Sequence, residues 1–253
     1  MSRTRIAFFD VDGTLTTATT LFRFLRYYLA AQGHAPHVYD QRRQRLKAMT
    51  DMGVPRERTN RAYFDNFRGA DASEVERLAR EWFASELRAG GLVNPYALAA
   101  LRDHRENGDR VVLVSGSFPA CLAPVAAHVG ADETWCTEPE IVDGVYTGGL
   151  ARAPMIGRAK ADAVLLAAAA HGTSPEHCAA YGDHASDLPM LGAAGSAVVV
   201  GGDGDLRARA RLRSWRLLPA APPPPDLPLP GPGLLERGLP ELPGPGLPEP
   251  ASS

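Results

Sequence analysis

The sequence predicts an α/β fold built on a central parallel sheet, in which a helical block interrupts the chain soon after the first strand. Three observations predict it. Arg5 to Asp10 is a brief apolar run closed by a turn signal at Asp12-Gly13. From about Thr19 to Gly90 apolar residues recur at helical spacing. After Asn94-Pro95 the pattern alternates between helix and short buried strand, the grammar of an α/β domain.

Taken in order, Arg5–Asp10 is the first strand, short and apolar as a strand covered on both faces must be. The helical block opens with Leu21, Phe22, Phe24, Leu25, Tyr28 and Leu29 on one face of a helix. It closes with Asp71–Ala89, where Val75, Leu78, Ala79, Trp82, Phe83 and Leu87 form a stripe and Asp71 or Ser73 offers an N-cap. Tyr96–Asn107 reads as helix, Val111–Val114 as buried strand and Pro119–His128 as helix. Ile141–Tyr146, with Asp143-Gly144 at its centre, reads as a β-hairpin. Ala159–Ala170 follows as helix, and Cys178–Tyr181 and Ala197–Val200 as strands, so four apolar runs supply the sheet. Between Pro219 and Pro250 lie 13 of the 22 prolines, a composition that cannot build a core. This stretch reads as an extended, linker-like extension, or alternatively as a docking tail.

A chain of 253 residues has the length to bury a sizeable core without disulfides. Cys121, Cys136 and Cys178 are odd in number and lack metal-ligand spacing, so they read as small apolar fillers in a reducing compartment. No signal-peptide pattern precedes the first strand, and the most lipid-like stretch, Leu21–Ala31, is broken by Arg23 and Arg26. A cytoplasmic protein without a membrane partner is expected. A net charge of −2 leaves no excess for neutralising nucleic-acid phosphates. Of the 27 basic residues only Lys47 and Lys160 are lysines.

Four segments carry chemistry. Phe8-Phe9-Asp10-Val11-Asp12-Gly13-Thr14-Leu15 delivers two carboxylates to the C-terminal edge of a strand, where open parallel sheets bind ligands. Asp10 can attack phosphorus, and Asp12 can protonate the leaving oxygen and then activate water. Gly13 permits a sharp turn beside them. Val111–Ser117 ends a second strand in Ser115 and Gly116, whose hydroxyl and main-chain N–H groups can hold a phosphate oxygen ahead of a helix. Lys160 stands near the start of a nearly uncharged helix and can neutralise charge gathering on nucleophile and phosphate. Ala180–Leu191 ends a strand in Asp183, which suits a hard cation such as Mg2+, with Asp187 behind it to orient bound water or hold Lys160. His184 reads as a loop residue. In isolation these segments have plainer readings: a strand-ending turn, a helix-capping serine and a solvated lysine.

Together and in this order they resemble the haloacid dehalogenase (HAD) superfamily, specifically its subfamily IB, related to phosphoserine phosphatase. The resemblance spans roughly Arg5–Leu218 and extends to Gly148, to Ser186–Leu191 and to Asp205-Leu206-Arg207 with Trp215. It implies a Rossmann-like core formed by residues 1–15 and 93–218 and an inserted helical C1-type cap at 16–92; composition leaves 219–253 as a disordered Pro/Gly-rich tail. It implies Asp10 as nucleophile, Asp12 as general acid/base, and Ser115, Gly116 and Lys160 as phosphate binders. Mg2+ would be held by the Asp10 carboxylate, the Asp12 carbonyl and Asp183, with Asp187 supporting them. The implied activity is hydrolysis of a small phosphomonoester metabolite through an aspartyl-phosphate. A phosphomutase or phosphotransferase of the same superfamily, and a non-catalytic interaction module using the tail, are the alternatives. Histidine at 184 and the run Gly201-Gly202-Asp203-Gly204 depart from many relatives; neither removes a group the chemistry requires.

Overall fold

The computed structural model describes residues 5–227, 229 and 230. It opens with strand β1 (Ile6–Phe9), whose four side chains are all buried. Alternation sends Ile6 and Phe8 to one face of the sheet and Ala7 and Phe9 to the other, each pair entering a different hydrophobic cluster. Four helices follow: α1 (Thr20–Ala31), α2 (Pro36–Asp51), α3 (Arg56–Tyr63) and α4 (Ala72–Ala89). Asp71 is the N-cap of α4, its carboxylate accepting the Glu74 N–H. The chain enters and leaves this block side by side: the Thr17 N–H donates to Leu92 O and the Asn94 N–H to Leu15 O.

The α/β part then runs through α5 (Pro95–Glu106), β2 (Arg110–Ser115), α6 (Pro119–Val129), β3 (Glu133–Cys136), the pair β4 (Pro139–Val142) and β5 (Val145–Leu150), and α7 (Arg158–Ala170). It closes with β6 (Ala179–Gly182), α8 (Leu188–Ala193), β7 (Ser196–Val200), α9 (Gly204–Leu212) and β8 (Arg216–Leu218). Six strands form one sheet in the order β3-β2-β1-β6-β7-β8, all pairs parallel. The two edge strands, β3 and β8, are additional to the four apolar runs of the sequence. Their residues are half-buried or exposed and carry no continuous apolar signal. Asp143 and Gly144 both take positive φ, 52° and 80°, as the two-residue turn between β4 and β5 requires.

The helical block shares a hydrophobic cluster with one face of the sheet. Phe118, at the head of α6, lies 6.0 Å from the Phe24 ring and 5.4 Å from both Phe64 and Phe67. The other face is covered by α7, α8 and α9 through Ala163, Val164, Ala167, Met190, Leu191 and Leu206. Among the described residues no helix is long and apolar enough to cross a membrane.

Past β8, residues 219–227 of the stretch read as linker-like lie against the rest of the molecule. Leu227 is buried in the shared cluster, Arg26 pairs with Asp226 at 3.0 Å, and Arg23 Nη2 donates to Pro225 O at 2.8 Å. This segment runs against α1 because Arg23 and Arg26, one turn apart, present it with donors. Residues 228 and 231–253 of the same stretch lie outside the described residues.

Candidate active site

Asp10 is the first residue past β1, and its N–H donates to Tyr181 O, extending the ladder with β6. Asp183 is the first residue past β6. These two strands are neighbours at the point where the strand order reverses, so both carboxylates emerge into the crevice that such sheets leave at their C-terminal edge. Ser115 ends β2 on the other side of β1 and is fully buried, its Oγ accepting the Ser117 N–H at 3.0 Å. Lys160, in the first turn of α7, reaches in from the sheet face opposite the helical block.

Lys160 is 3% exposed and Asp10 4%, yet both find charged partners. Nζ of Lys160 lies 2.5 Å from Asp10 Oδ1 and 2.7 Å from Asp187 Oδ1. Burial works against the ammonium charge, but the two carboxylates more than offset it and hold the Lys160 pKa above its ordinary value. Burial pushes Asp187 upward too, but the Lys160 charge and hydrogen bond prevail and keep its carboxyl below the usual range. For Asp10 burial prevails over Lys160, and the group is raised.

Asp183 is pushed up to about 8, by burial first and then by the like charges of Asp10 and Asp187. Its Oδ1 accepts from Thr14 Oγ at 3.0 Å. Gly13 makes this crowding possible: its φ is +96°, and a Cβ there would lie 2.2 Å from Asp183 Oδ2. Asp12 lines the same cavity as Asp10 but is tied to α1. Its Oδ1 accepts the Thr20 N–H at 2.7 Å, capping α1 from outside the helix, while burial pushes its carboxyl up to about 6 against that hydrogen bond.

Oxygens of Asp10, Asp183 and Asp187 lie within 4.8 Å of one another. Both Asp187 oxygens are already engaged, Oδ1 by Lys160 and Oδ2 by the main-chain N–H groups of Asp183 and His184. Asp10 and Asp183 are therefore the pair with oxygen to offer, and two crowded carboxylates, one pushed up to about 8, fit a hard divalent cation. The Asp12 side chain is outside this cluster.

A family model described as haloacid dehalogenase-like hydrolase matches residues 7–192, the stretch containing Asp10, Asp12, Ser115, Lys160, Asp183 and Asp187. The chain belongs to the haloacid dehalogenase-like hydrolases. Among the relatives of this hydrolase, a probable phosphatase of Mycobacterium tuberculosis is 31% identical over 229 residues, covering 84% of this chain and 74% of its own. A phosphoserine phosphatase of Halobacterium salinarum is 40% identical over 194 residues, covering 76% of this chain and 83% of its own. A Bordetella pertussis protein of unknown function has the same fold, with a TM-score of 0.78 at 23% identity over 86% of this chain and 99% of its own. The hydrolase is a phosphatase of the family, akin to the phosphoserine phosphatases.

Above the carboxylates of this hydrolase the helical block adds residues that the motifs did not single out. Arg56, Thr59, Asn60 and Tyr63 line one cavity from α3, a spacing of i, i+3, i+4 and i+7 that marks one helical face. Asn60 Nδ2 donates to Gly116 O at 2.8 Å, and Arg56 Nη1 lies 2.6 Å from His184 Nδ1 and 3.3 Å from Ser186 Oγ. His184 also shapes its own loop. Its Nδ1 accepts the Ser186 N–H while Asp187 Oδ2 accepts the His184 N–H, a reciprocal cap on the turn that presents Asp187. The face at 56, 59, 60 and 63 was visible in the sequence as a helical period, but of mostly polar residues, which apolar-stripe reasoning passes over.

Proposed function

We propose that the hydrolase cleaves a small phosphomonoester by transferring its phosphoryl group to Asp10, with Mg2+ as cofactor. The observation that carries this reading is the buried Asp10 carboxylate, paired with Lys160 at 2.5 Å and clustered with Asp183. An Asp10 oxygen forms a bond to phosphorus as the bond from phosphorus to the leaving oxygen breaks, and the leaving oxygen takes a proton from Asp12. A water then attacks the aspartyl-phosphate, giving its proton to the Asp12 carboxylate, and Asp10 is released with inorganic phosphate. A carboxyl pushed up to about 6 suits both halves, because near neutral pH it exchanges a proton readily in each direction.

Lys160 keeps its charge in both halves and meets the phosphate oxygens together with the Ser115 hydroxyl and the Gly116 N–H. Asp10, Asp183 and the Asp12 carbonyl would hold Mg2+, and Asp187 would keep Lys160 and the Asp183 turn in register. When bound, the cation supplies positive charge against the phosphate oxygens. The relatives named as phosphatases support the reaction class, and a small phosphorylated metabolite is the substrate this reading implies.

Asp10→Asn should abolish turnover of p-nitrophenyl phosphate in the presence of Mg2+, with the variant still folded by circular dichroism. A folded variant that retains more than about a thousandth of the activity contradicts Asp10 as nucleophile.

A further inference from the structure

The cavity above Asp10 measures about 600 Å3, in the range that encloses a drug-sized ligand rather than a three-carbon one. Its floor is the phosphoryl-transfer site. Its walls come from α1, the second half of α2, α3, Ile156 and the turn after β6. Their chemistry is lopsided. From the helical block Arg43, Lys47 and Arg56 bring three cations, whereas Asp51 is the one carboxylate this block places at the cavity, and it is bound to Lys47 Nζ at 2.5 Å.

The stronger neutral groups are committed as well. Asn60 Oδ1 accepts from Thr137 Oγ at 3.4 Å while its amide holds Gly116 O, and the Tyr63 hydroxyl donates to Leu21 O at 2.8 Å. A substrate ammonium lying against the helical block would thus be desolvated beside cations, with Asp51 already paired to Lys47. An apolar body, by contrast, meets Leu21, Phe22, Leu46, Val54 and Ile156. One buried hydroxyl is left over: Thr59 Oγ lines this cavity and has no hydrogen-bond partner among the described residues.

We propose that the substrate is a phosphomonoester with an apolar body longer than three carbons and no ammonium group, its body lying along Phe22, Leu46 and Ile156 within reach of the Thr59 hydroxyl. This rests on the phosphatase reading of the same site. It separates the hydrolase from a phosphoamino acid specificity, although it shares its reaction with phosphoserine phosphatases. Thr59 is a specificity-determining residue in this arrangement, since its buried hydroxyl keeps its bonding capacity unspent.

The test compares kcat/KM of the full chain with Mg2+ on two matched pairs. Phosphoethanolamine and n-propyl phosphate differ by an ammonium in place of a methyl group. n-Propyl and n-hexyl phosphate differ by three methylenes. The expected result is at least a tenfold preference for propyl over ethanolamine, and a further rise toward hexyl of up to about fourfold per buried methylene. Thr59→Asp, which adds an anionic acceptor to the wall, should shift the first ratio toward phosphoethanolamine by tenfold or more. Equal rates within either wild-type pair, or a preference for phosphoethanolamine, overturn the proposal while Asp10-dependent hydrolysis of p-nitrophenyl phosphate still upholds the phosphatase reading. Wild-type protein that hydrolyses neither p-nitrophenyl phosphate nor any alkyl phosphate overturns both. If Thr59→Asp fails to fold, the wild-type ratios alone decide.

Discussion

At the scale of single residues, the site depends on positions where an extra atom or an extra proton has nowhere to go. Gly13 is the clearest. A methyl group there would meet Asp183 Oδ2 at 2.2 Å, on a backbone with φ +96° that a side chain rarely adopts. Gly13→Ala should lower activity at least a hundredfold and cost about 1–3 kcal/mol of stability, as read by urea unfolding. A variant of unchanged activity contradicts the fit of Gly13 against Asp183. The proton on Asp183 makes a second prediction. Its ordinary value is 3.8 and its value in the folded, metal-free protein is about 8, so between those limits the folded state holds a proton that the unfolded state has released. This contribution stabilises the metal-free protein at low pH and is lost as pH rises toward 8. A bound cation requires the proton to leave, so the Kd for Mg2+ should fall by about tenfold per unit between pH 6 and 8 and then level off. Calorimetric titration at pH 6, 7 and 8 checks this, and a flat profile contradicts it. The carboxylates themselves were legible in the sequence because each follows a short apolar strand. The 2.2 Å clearance at Gly13 was not, since it depends on a residue 170 positions away.

At the scale of elements, the segments on which the sequence says least are those held by partners rather than by their own pattern. α2 buries only Leu46, and β3 and β8 have no fully buried residue, so periodicity says little about them. The segment after β8 is the same case. Its proline content argues against a core, yet Leu227 fills one and Arg23 and Arg26 hold its main chain and Asp226. Arg23 serves two masters, because its Nε and Nη2 also bind the fully buried Glu86, at 2.6 and 2.8 Å. Arg23→Ala should therefore cost about 3–5 kcal/mol, most of it from leaving Glu86 buried with only the Trp82 Nε1–H as a partner. Truncation after Leu218 should be milder. Losing the Leu227 burial is worth about 2 kcal/mol, or about 4–8 °C in Tm for a chain of this length. Differential scanning calorimetry of the two variants orders them, and a truncated chain as stable as the full one contradicts the contact.

For the molecule as a whole, the division into a sheet-bearing part and a helical insertion is one of chain order more than of packing. Phe9 and Val11 of the sheet side share a cluster with Phe24, Phe67 and Trp82 of the insertion, and Phe118 packs among the insertion's aromatic rings. The two parts should unfold together, with circular dichroism and tryptophan fluorescence tracing coincident urea transitions. Phe118→Ala should lower that transition by about 3–5 kcal/mol. The fold class was legible because alternating strands and helices dominate the second half of the chain. The joint core was not, since an apolar stripe on a helix does not say which neighbour will cover it.

The scarcity of lysine has a practical use. Lys160 is buried, protonated and clamped between two carboxylates, so it cannot act as an amine nucleophile. Lys47 is the one other lysine, its side chain is 71% exposed, and it stands in the wall of the cavity above Asp10. Apart from the α-amino group, a succinimidyl ester will therefore find a single address on this protein. A fluorophore coupled there would sit at the mouth of the cavity, where its emission can report the arrival of a ligand without any engineered cysteine.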